Sequence, residues 1–198
     1  MEQIRAFIAI RLPDQVKCDL SQLLNSIRPG QERAVKWVNP DSIHLTLKFL
    51  GNIPAEKAVD IARAIGEAAA VVKPFTLELQ GLGAFPSLRS PRVVWVGVGG
   101  DVQLIVNLQK RIDQVLIHLG FPTERREFSP HLTLGRVRDK ATSQERRSLG
   151  ESIRSMRLEG SPPFLVDEVC LMRSTLTSAG AIYHRLASIH LTEIDRTC

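Results

Sequence analysis

The tetrapeptide HLTL occurs twice in the chain, at residues 44–47 and again at residues 131–134. An imidazole has a pKa of about 6.5, so two histidines at neutral pH can hold one protonated ring and one neutral ring. Such a pair supplies a proton donor and a proton acceptor, and two threonine hydroxyls can donate hydrogen bonds to phosphate oxygens. His44, Thr46, His131 and Thr133 therefore suit in-line attack on a phosphodiester, which requires no metal ion.

Each copy of the motif is typical of a half-buried strand, because side chains alternate between the two faces of a strand. The histidine and the threonine share one face, and the two leucines share the other. Continued alternation predicts that Lys48 extends the histidine face and that Phe49 extends the leucine face into the core. The same rule puts Arg136 on the leucine face, unless the strand bends at Gly135, where a bulge would fit.

A repeat with an offset of 87 residues relates the two motifs and also their surroundings. It relates three pairs of features, namely the two HLTL histidines, two apolar segments at 5–11 and 92–98, and two predicted helix N-caps, Asp14 and Asp101. After each motif the sequences PFTLEL and PFLVDEV begin at Pro74 and Pro163, with a slightly longer offset. The chain is therefore predicted to contain two copies of one α+β unit.

The repeats also predict the elements that must position the motifs. Periodicity and turn-forming residues predict strands at 4–11, 43–50, 74–83, 92–98, 131–138, 164–173 and 181–191, and helices at 14–28, 55–72, 101–119 and 142–156. We expect an α+β, bilobal fold of duplicated βαβαβ units, with two antiparallel sheets facing a central cleft and helices outside. The chain forms a single domain over 1–198, with lobes near 1–88 and 89–198, and the exchange of strands between lobes is left open. Equivalent positions should face each other across the cleft.

Composition limits the function classes without choosing among them. The chain has 198 residues, of which 43% are hydrophobic, and a net charge of +5, which mildly favours an anionic partner. No apolar run is long enough to span a membrane, and the N-terminus is typical of a strand and not of a signal peptide, so we expect a cytoplasmic monomer. Three cysteines without paired spacing, Cys18, Cys170 and Cys198, favour reduced thiols.

Two alternatives to an acid–base pair remain at this point. A zinc site needs three or four ligands, whereas the repeats supply two histidines and no matching carboxylate or cysteine. A module that binds RNA or a nucleotide without catalysis is the other alternative, and its binding would survive substitution of both histidines. His118, His184 and His190 have no counterpart in the repeat and are interpreted as structural.

Four segments resemble the 2H phosphoesterase superfamily, and more narrowly its RNA 2′,3′-cyclic phosphodiesterases, also called 2′–5′ RNA ligases. They are RAFIAIRLP at 5–13, KWVNPDSIHLTLKFLG at 36–51, FSPHLTLGRV at 128–137, and a tail with Ser174, Gly180 and Tyr183. The resemblance implies a central cleft that hydrolyses RNA-terminal 2′,3′-cyclic phosphates to 2′-phosphates, with His44 as proton donor and His131 as proton acceptor. It implies no cofactor and no metal, and the same pair would also suit reversible 2′–5′ joining of RNA ends.

Further residues are candidates for contact with the substrate. Relatives often keep a basic residue at the position of Arg136, which is a candidate phosphate ligand. Phe128 is a candidate for stacking on a base, whereas Phe7 and Trp37 are better explained by packing. Arg125 and Arg126 precede the second motif and could meet the RNA backbone. The same chemistry on ADP-ribose cyclic phosphate or on a 2′–5′ oligonucleotide is the competing substrate assignment.

Overall fold

The computed structural model describes residues 2–124, 126–158, 161–177 and 180–192. Arg125 and Cys198, which the sequence analysis singled out, lie outside these residues. The chain forms four helices and nine strands within the described ranges. The strands are β1 Gln3–Arg11, β2 Val35–Trp37, β3 His44–Pro54, β4 Phe75–Phe85, β5 Val93–Gly100, β6 His131–Val137, β7 Phe164–Val166, β8 Glu168–Leu176 and β9 Ala181–His190. The helices are α1 Asp14–Ile27, α2 Lys57–Ala69, α3 Val102–Leu116 and α4 Ser143–Ser155.

The helices begin close to the predicted positions, but only one of the two predicted N-cap residues occupies that position, and neither carboxylate caps its own helix. Asp14 lies inside the first turn of α1, where its carboxylate pairs with Lys17, and the N-cap residue is Pro13. Asp101 does occupy the N-cap position of α3, yet its carboxylate accepts hydrogen bonds from the backbone and hydroxyl of Thr76 on β4. A tertiary contact has thus replaced the local cap in α3.

All strands hydrogen-bond in antiparallel fashion into one curled sheet, which forms a half-barrel. The order across it is β7-β4-β5-β6-β3-β1-β8-β9, and β2 adds to β6. The contact between β3 and β6 consists of a single residue pair, Leu45 with Leu132. The sheet therefore has two halves joined at the Leu45–Leu132 pair, which we call the seam. One half has five strands (β7, β4, β5, β6 and β2) and the other has four (β3, β1, β8 and β9). The predicted α+β class with a curled antiparallel sheet and outer helices is confirmed, and the two predicted sheets prove to be continuous.

The two sheet halves do not coincide with the two sequence repeats. Strand β4 comes from the first repeat, yet it pairs with β5 and β7 of the second. Strand β8 comes from the second repeat and pairs with β1 of the first. Each half of the sheet therefore needs strands from both repeats.

One large hydrophobic cluster lies between the outer face of the sheet and the helices. The seam leucines belong to it, together with the buried faces of all four helices. A smaller cluster of Phe7, Ala9, Cys170 and Met172, with Tyr183 against it, lies on the opposite face of the sheet, beside His44. None of the helices in the described part of the chain is long and apolar enough to cross a membrane.

Candidate active site

The two HLTL strands meet at equivalent positions of the repeat. Leu45 and Leu132 are paired directly, both are completely buried, and each follows the histidine of its motif. An antiparallel register centred on this pair sets His44 across from Thr133 and Thr46 across from His131. All four polar side chains are half-buried and lie on the face opposite the leucines. The predicted pair of imidazoles and pair of hydroxyls therefore gathers on one side of the seam.

A backbone carbonyl fixes the tautomer of each imidazole. Nδ1 of His44 lies 2.9 Å from the carbonyl oxygen of Ser42, and Nδ1 of His131 lies 2.7 Å from that of Ser129. A carbonyl oxygen can only accept, so each Nδ1 carries the hydrogen, and each Nε2 is left for the substrate. Ser42 and Ser129 were not predicted as site residues, although they are related by the same offset as the histidines.

Aromatic rings pack against both histidines and limit their orientation. Phe7 stacks on His44 with ring centroids 4.6 Å apart, and Tyr183 meets the same ring edge-on at 5.0 Å. Phe85 meets His131 edge-on at 5.0 Å, and Trp95 lies at 6.3 Å. Phe7 is only 3% exposed, so it supports an imidazole and does not offer a free face to a base. Burial lowers the pKa of His44 below its ordinary value, and the hydrogen bond to Ser42 opposes this only in part.

A β-bulge follows the threonine in each motif and reverses the predicted alternation. Ile8 pairs with Lys48 and Ala9 with Thr46, so Leu47 has no partner on β1. In consequence Lys48 points to the core side and is 3% exposed, whereas Phe49 is 61% exposed on the side of His44. The sequence-based assignments of Lys48 to the histidine face and of Phe49 to the core were therefore wrong, because strict alternation assumes an unbroken ladder.

The matching bulge in the second motif decides the position of Arg136. Val94 pairs with Gly135 and Trp95 with Thr133, so Leu134 is the extra residue. Arg136 pairs with Val93, which lies on the same face of β5 as Trp95, the partner of Thr133. Arg136 is thus on the face of His131 and Thr133 and is exposed, and the bend falls one residue before the predicted Gly135.

Lys48 forms a buried network beneath the second motif. Its Nζ lies 2.5 Å from Oδ1 of Asp113 on α3 and donates to the carbonyl oxygen of Pro122 at 2.7 Å. The other carboxylate oxygen of Asp113 accepts from the backbone N–H of Glu124 at 3.0 Å. This network ties β3 and α3 to the loop that leads to Ser129 and His131.

Two further candidates, Phe128 and Trp37, pack against the large hydrophobic cluster. Phe128 packs half-buried against the large cluster and, with Arg126, lines a depression of about 320 Å³ beside α3. Trp37 packs over Gly135, where a Cβ would lie 2.7 Å from the indole, as expected for a packing role. Both aromatic rings are thus engaged in packing within the protein.

A sequence profile for one family matches both repeats of the chain. The profile, described as LigT like Phosphoesterase, matches residues 10–95 and 99–183, one segment over each repeat. The chain belongs to the LigT-like phosphoesterase family. The resemblance to the 2H superfamily inferred from the sequence is confirmed.

Two curated relatives of this LigT-like phosphoesterase have the same name. The RNA 2′,3′-cyclic phosphodiesterase of Methanothermobacter thermautotrophicus is 34% identical over 181 residues, which is 91% of this chain and 95% of that protein. The RNA 2′,3′-cyclic phosphodiesterase of Aquifex aeolicus is 34% identical over 157 residues, which is 79% of this chain and 81% of that protein.

Solved structures agree with the fold of this LigT-like phosphoesterase. Escherichia coli LigT complexed with 3′-AMP is 27% identical, with a TM-score of 0.75 over 96% of this chain and 99% of that one. The protein TT0787 of Thermus thermophilus is 29% identical, with a TM-score of 0.72 over 95% of this chain and 98% of that one. Among the described residues of this chain, no group of three or more His, Cys, Asp or Glu side chains could hold a metal ion.

Proposed function

We propose that this phosphoesterase hydrolyses the terminal 2′,3′-cyclic phosphodiester of RNA to a 2′-phosphomonoester, with a two-histidine mechanism and no metal ion. The observation that carries the proposal is the pairing of Leu45 with Leu132, because it brings two His–Thr pairs to one side of one seam. The names of the relatives and the LigT structure with 3′-AMP support the choice of an RNA end as substrate.

The reaction transfers one proton at each side of phosphorus. His131 accepts the proton of water through Nε2 while the water oxygen attacks phosphorus. The bond from phosphorus to O3′ breaks, and His44 donates the proton on its Nε2 to O3′. Thr46, Thr133 and Arg136 donate hydrogen bonds to the non-bridging oxygens, where negative charge increases in the transition state. The product keeps the phosphate on O2′.

The charge states required by these roles depend on the substrate. Burial favours the neutral form of His44 in the free enzyme, since it lowers the pKa of that imidazole. An anionic phosphate beside the ring raises the pKa again, because an opposite charge favours the protonated form. The bound phosphate therefore shifts His44 towards the protonated form that a proton donor requires.

The same residues suit the joining of RNA ends. The 5′-hydroxyl of a second RNA takes the place of water, gives its proton to His131, and forms a 2′–5′ phosphodiester as O3′ leaves. We expect this reaction to be weak in dilute solution, where water competes for the same phosphorus. We further propose that the protein acts as a cytosolic monomer.

Product analysis with matched variants tests the proposed reaction. A short RNA ending in a 2′,3′-cyclic phosphate should yield a 2′-phosphate, and the rate should be unchanged by a chelator. His44→Ala and His131→Ala should each lower kcat by at least ~10², which is the usual contribution of an acid or a base. His118→Ala, at an exposed position on the helix side, is the control and should not change the rate. A 3′-phosphate product, rates restored by zinc after chelation, or turnover confined to ADP-ribose cyclic phosphate would contradict the proposal.

The assignment of donor and acceptor is tested with a better leaving group. A cyclic phosphorothiolate with sulfur in place of O3′ releases a thiolate, which needs no proton from the enzyme. The rate defect of His44→Ala should then shrink, so that this variant approaches the unsubstituted enzyme, while the defect of His131→Ala should remain. The reverse pattern would exchange the two roles without affecting the two-histidine mechanism.

A further inference from the structure

The strand that carries the second motif continues into a run of exposed cations. We infer that four of them, Arg33, Lys36, Arg138 and Lys140, bind the phosphodiester backbone of the RNA on the 5′ side of the cyclic end. We call these four residues the basic strip. The inference rests on the proposed function and specifies its substrate class as a single-stranded RNA chain instead of a mononucleotide.

The basic strip lies next to Arg136, which is already proposed to bind the phosphate. Lys36 on β2 is the direct partner of Arg136 on β6, so their side chains share a face. Arg138 follows two residues after Arg136, a distance of about 6.6 Å along an extended chain, and its N–H donates to the carbonyl oxygen of Ala34 at 2.7 Å. Arg33 and Lys140 join Arg138 around a depression of about 370 Å³.

The register of the seam places the basic strip at the end of the site where His44 and Thr133 lie. His44 is across from Thr133, and β6 then runs from Thr133 towards Arg136 and away from His131. In the proposed reaction His44 protonates O3′, which belongs to the RNA, so the RNA lies on the His44 side of phosphorus. The chain that leads away from the cyclic phosphate therefore passes over the basic strip.

The opposite end of the seam offers no equivalent cation among the motif residues. The repeat relates Arg136 to Phe49, which is exposed on the side of His44 and Thr46. The two sequence copies thus produce an almost symmetric pair of histidines whose surroundings differ in charge. This difference gives a symmetric site a direction along which a polyanion can bind.

The cations of the strip are available for a phosphate. All four are exposed, and none of them forms a salt bridge with any residue of 2–124, 126–158, 161–177 or 180–192. Two carboxylates, Glu145 and Glu32, line the same depression. Glu145 accepts hydrogen bonds from Thr142 in a capping box at the start of α4, and neither carboxylate forms a salt bridge with a cation of the strip in the described part of the chain.

The experiment compares a polymer with its terminal unit. The double variant Lys36→Gln/Arg138→Gln removes two exposed charges of the strip. Its kcat/KM should fall by about tenfold for a single-stranded oligoribonucleotide with a 2′,3′-cyclic end, as expected for two exposed ion pairs. Its kcat/KM for cytidine 2′,3′-cyclic phosphate should not change. The salt dependence of binding should also become shallower, by about 0.7 in slope for each phosphate that the variant no longer binds.

The control variant removes the same charge elsewhere. Arg111→Gln/Arg154→Gln changes exposed positions of α3 and α4 outside both depressions and should leave both substrates unaffected. An equal loss on both substrates, no loss on either, or an equal loss in the control would overturn the inference. Failure of the proposed function would look different, because the unsubstituted enzyme would then hydrolyse neither the oligoribonucleotide nor cytidine 2′,3′-cyclic phosphate.

Discussion

At the scale of single residues, the chemistry of the site depends on which atoms each imidazole presents. The carbonyls of Ser42 and Ser129 take the Nδ1 hydrogens, and aromatic rings hold the imidazole planes. Burial also lowers the pKa of His44. The two imidazoles contact different aromatic rings, so the duplicated motif has acquired two different environments.

The lowered pKa of His44 predicts a contribution to the pH dependence of stability. The unfolded chain binds a proton at His44 at a higher pH than the folded chain, so this residue makes stability rise with pH in that window. The contribution of His44 to stability is fully present above the unfolded pKa of about 6.5, and it is lost as the pH falls through the pKa of the folded state. Urea unfolding between about pH 5 and pH 8 should show a steeper pH dependence in the unsubstituted protein than in His44→Asn. Asparagine is chosen because its amide can still donate to the carbonyl of Ser42, and equal slopes in the two proteins would contradict the prediction.

At the scale of elements, two bulges and one buried ion pair give the motif strands their final geometry. The bulge at Leu47 turns Lys48 towards α3, where Asp113 and the carbonyl of Pro122 receive its ammonium. The bulge at Leu134 turns Arg136 towards the substrate side. The same local irregularity thus supplies a structural cation in one repeat and a candidate phosphate ligand in the other.

The buried pair predicts a large loss of stability when one partner is removed. Lys48→Met leaves the carboxylate of Asp113 buried without its cation, which should cost roughly 3–5 kcal/mol of unfolding free energy. The double variant Lys48→Met/Asp113→Leu should recover much of that loss, because no charge then remains buried. Lys110→Met, at an exposed position of the same helix as Asp113, is the control and should change stability little. Equal stability of Lys48→Met and the control in urea would show that the pair is not buried in solution.

Element prediction from the sequence succeeded where the signal is local. The four helices and most strands fall close to the predicted spans, because apolar periodicity and turn-forming residues such as Pro13 act within a few positions. The predicted strand 164–173 is instead two strands, β7 and β8, which pair in different halves of the sheet, and β2 was not predicted. The faces of Lys48 and Phe49 were predicted wrongly and the face of Arg136 was left open, because the position of a bulge depends on the partner strand. The carboxylate of Asp101 binds Thr76 instead of its own helix for the same reason.

At the scale of the whole molecule, the two repeats are interleaved instead of stacked side by side. Strand β4 completes the sheet half built around β5 and β6, and β8 with β9 completes the half built around β1 and β3. The halves then share only the Leu45–Leu132 pair along the seam. This arrangement holds the two motifs together through exchanged strands and a common core, with little direct hydrogen bonding between the motif strands.

The interleaving predicts that neither repeat folds by itself. A fragment of residues 1–88 leaves β4 without both of its partner strands, and a fragment of 89–198 leaves β8 without β1. Each fragment alone should lack a cooperative thermal transition by circular dichroism, because isolated strand edges and half a core do not offset chain entropy. Equimolar mixing should restore a transition and turnover of a cyclic phosphate. Cooperative unfolding of the fragment 1–88 alone would contradict the prediction.

The sequence by itself determined the repeat, the α+β class, the four polar residues of the motifs and the chemistry they can perform. These follow from residue types, from the two-residue period of a strand and from the constant offset of 87 residues between the two motifs. Only the tertiary structure decided which strands pair, where the bulges fall and which atoms orient each imidazole. Those features depend on contacts between residues far apart in the chain, and such contacts are fixed by packing and hydrogen bonding of the whole fold.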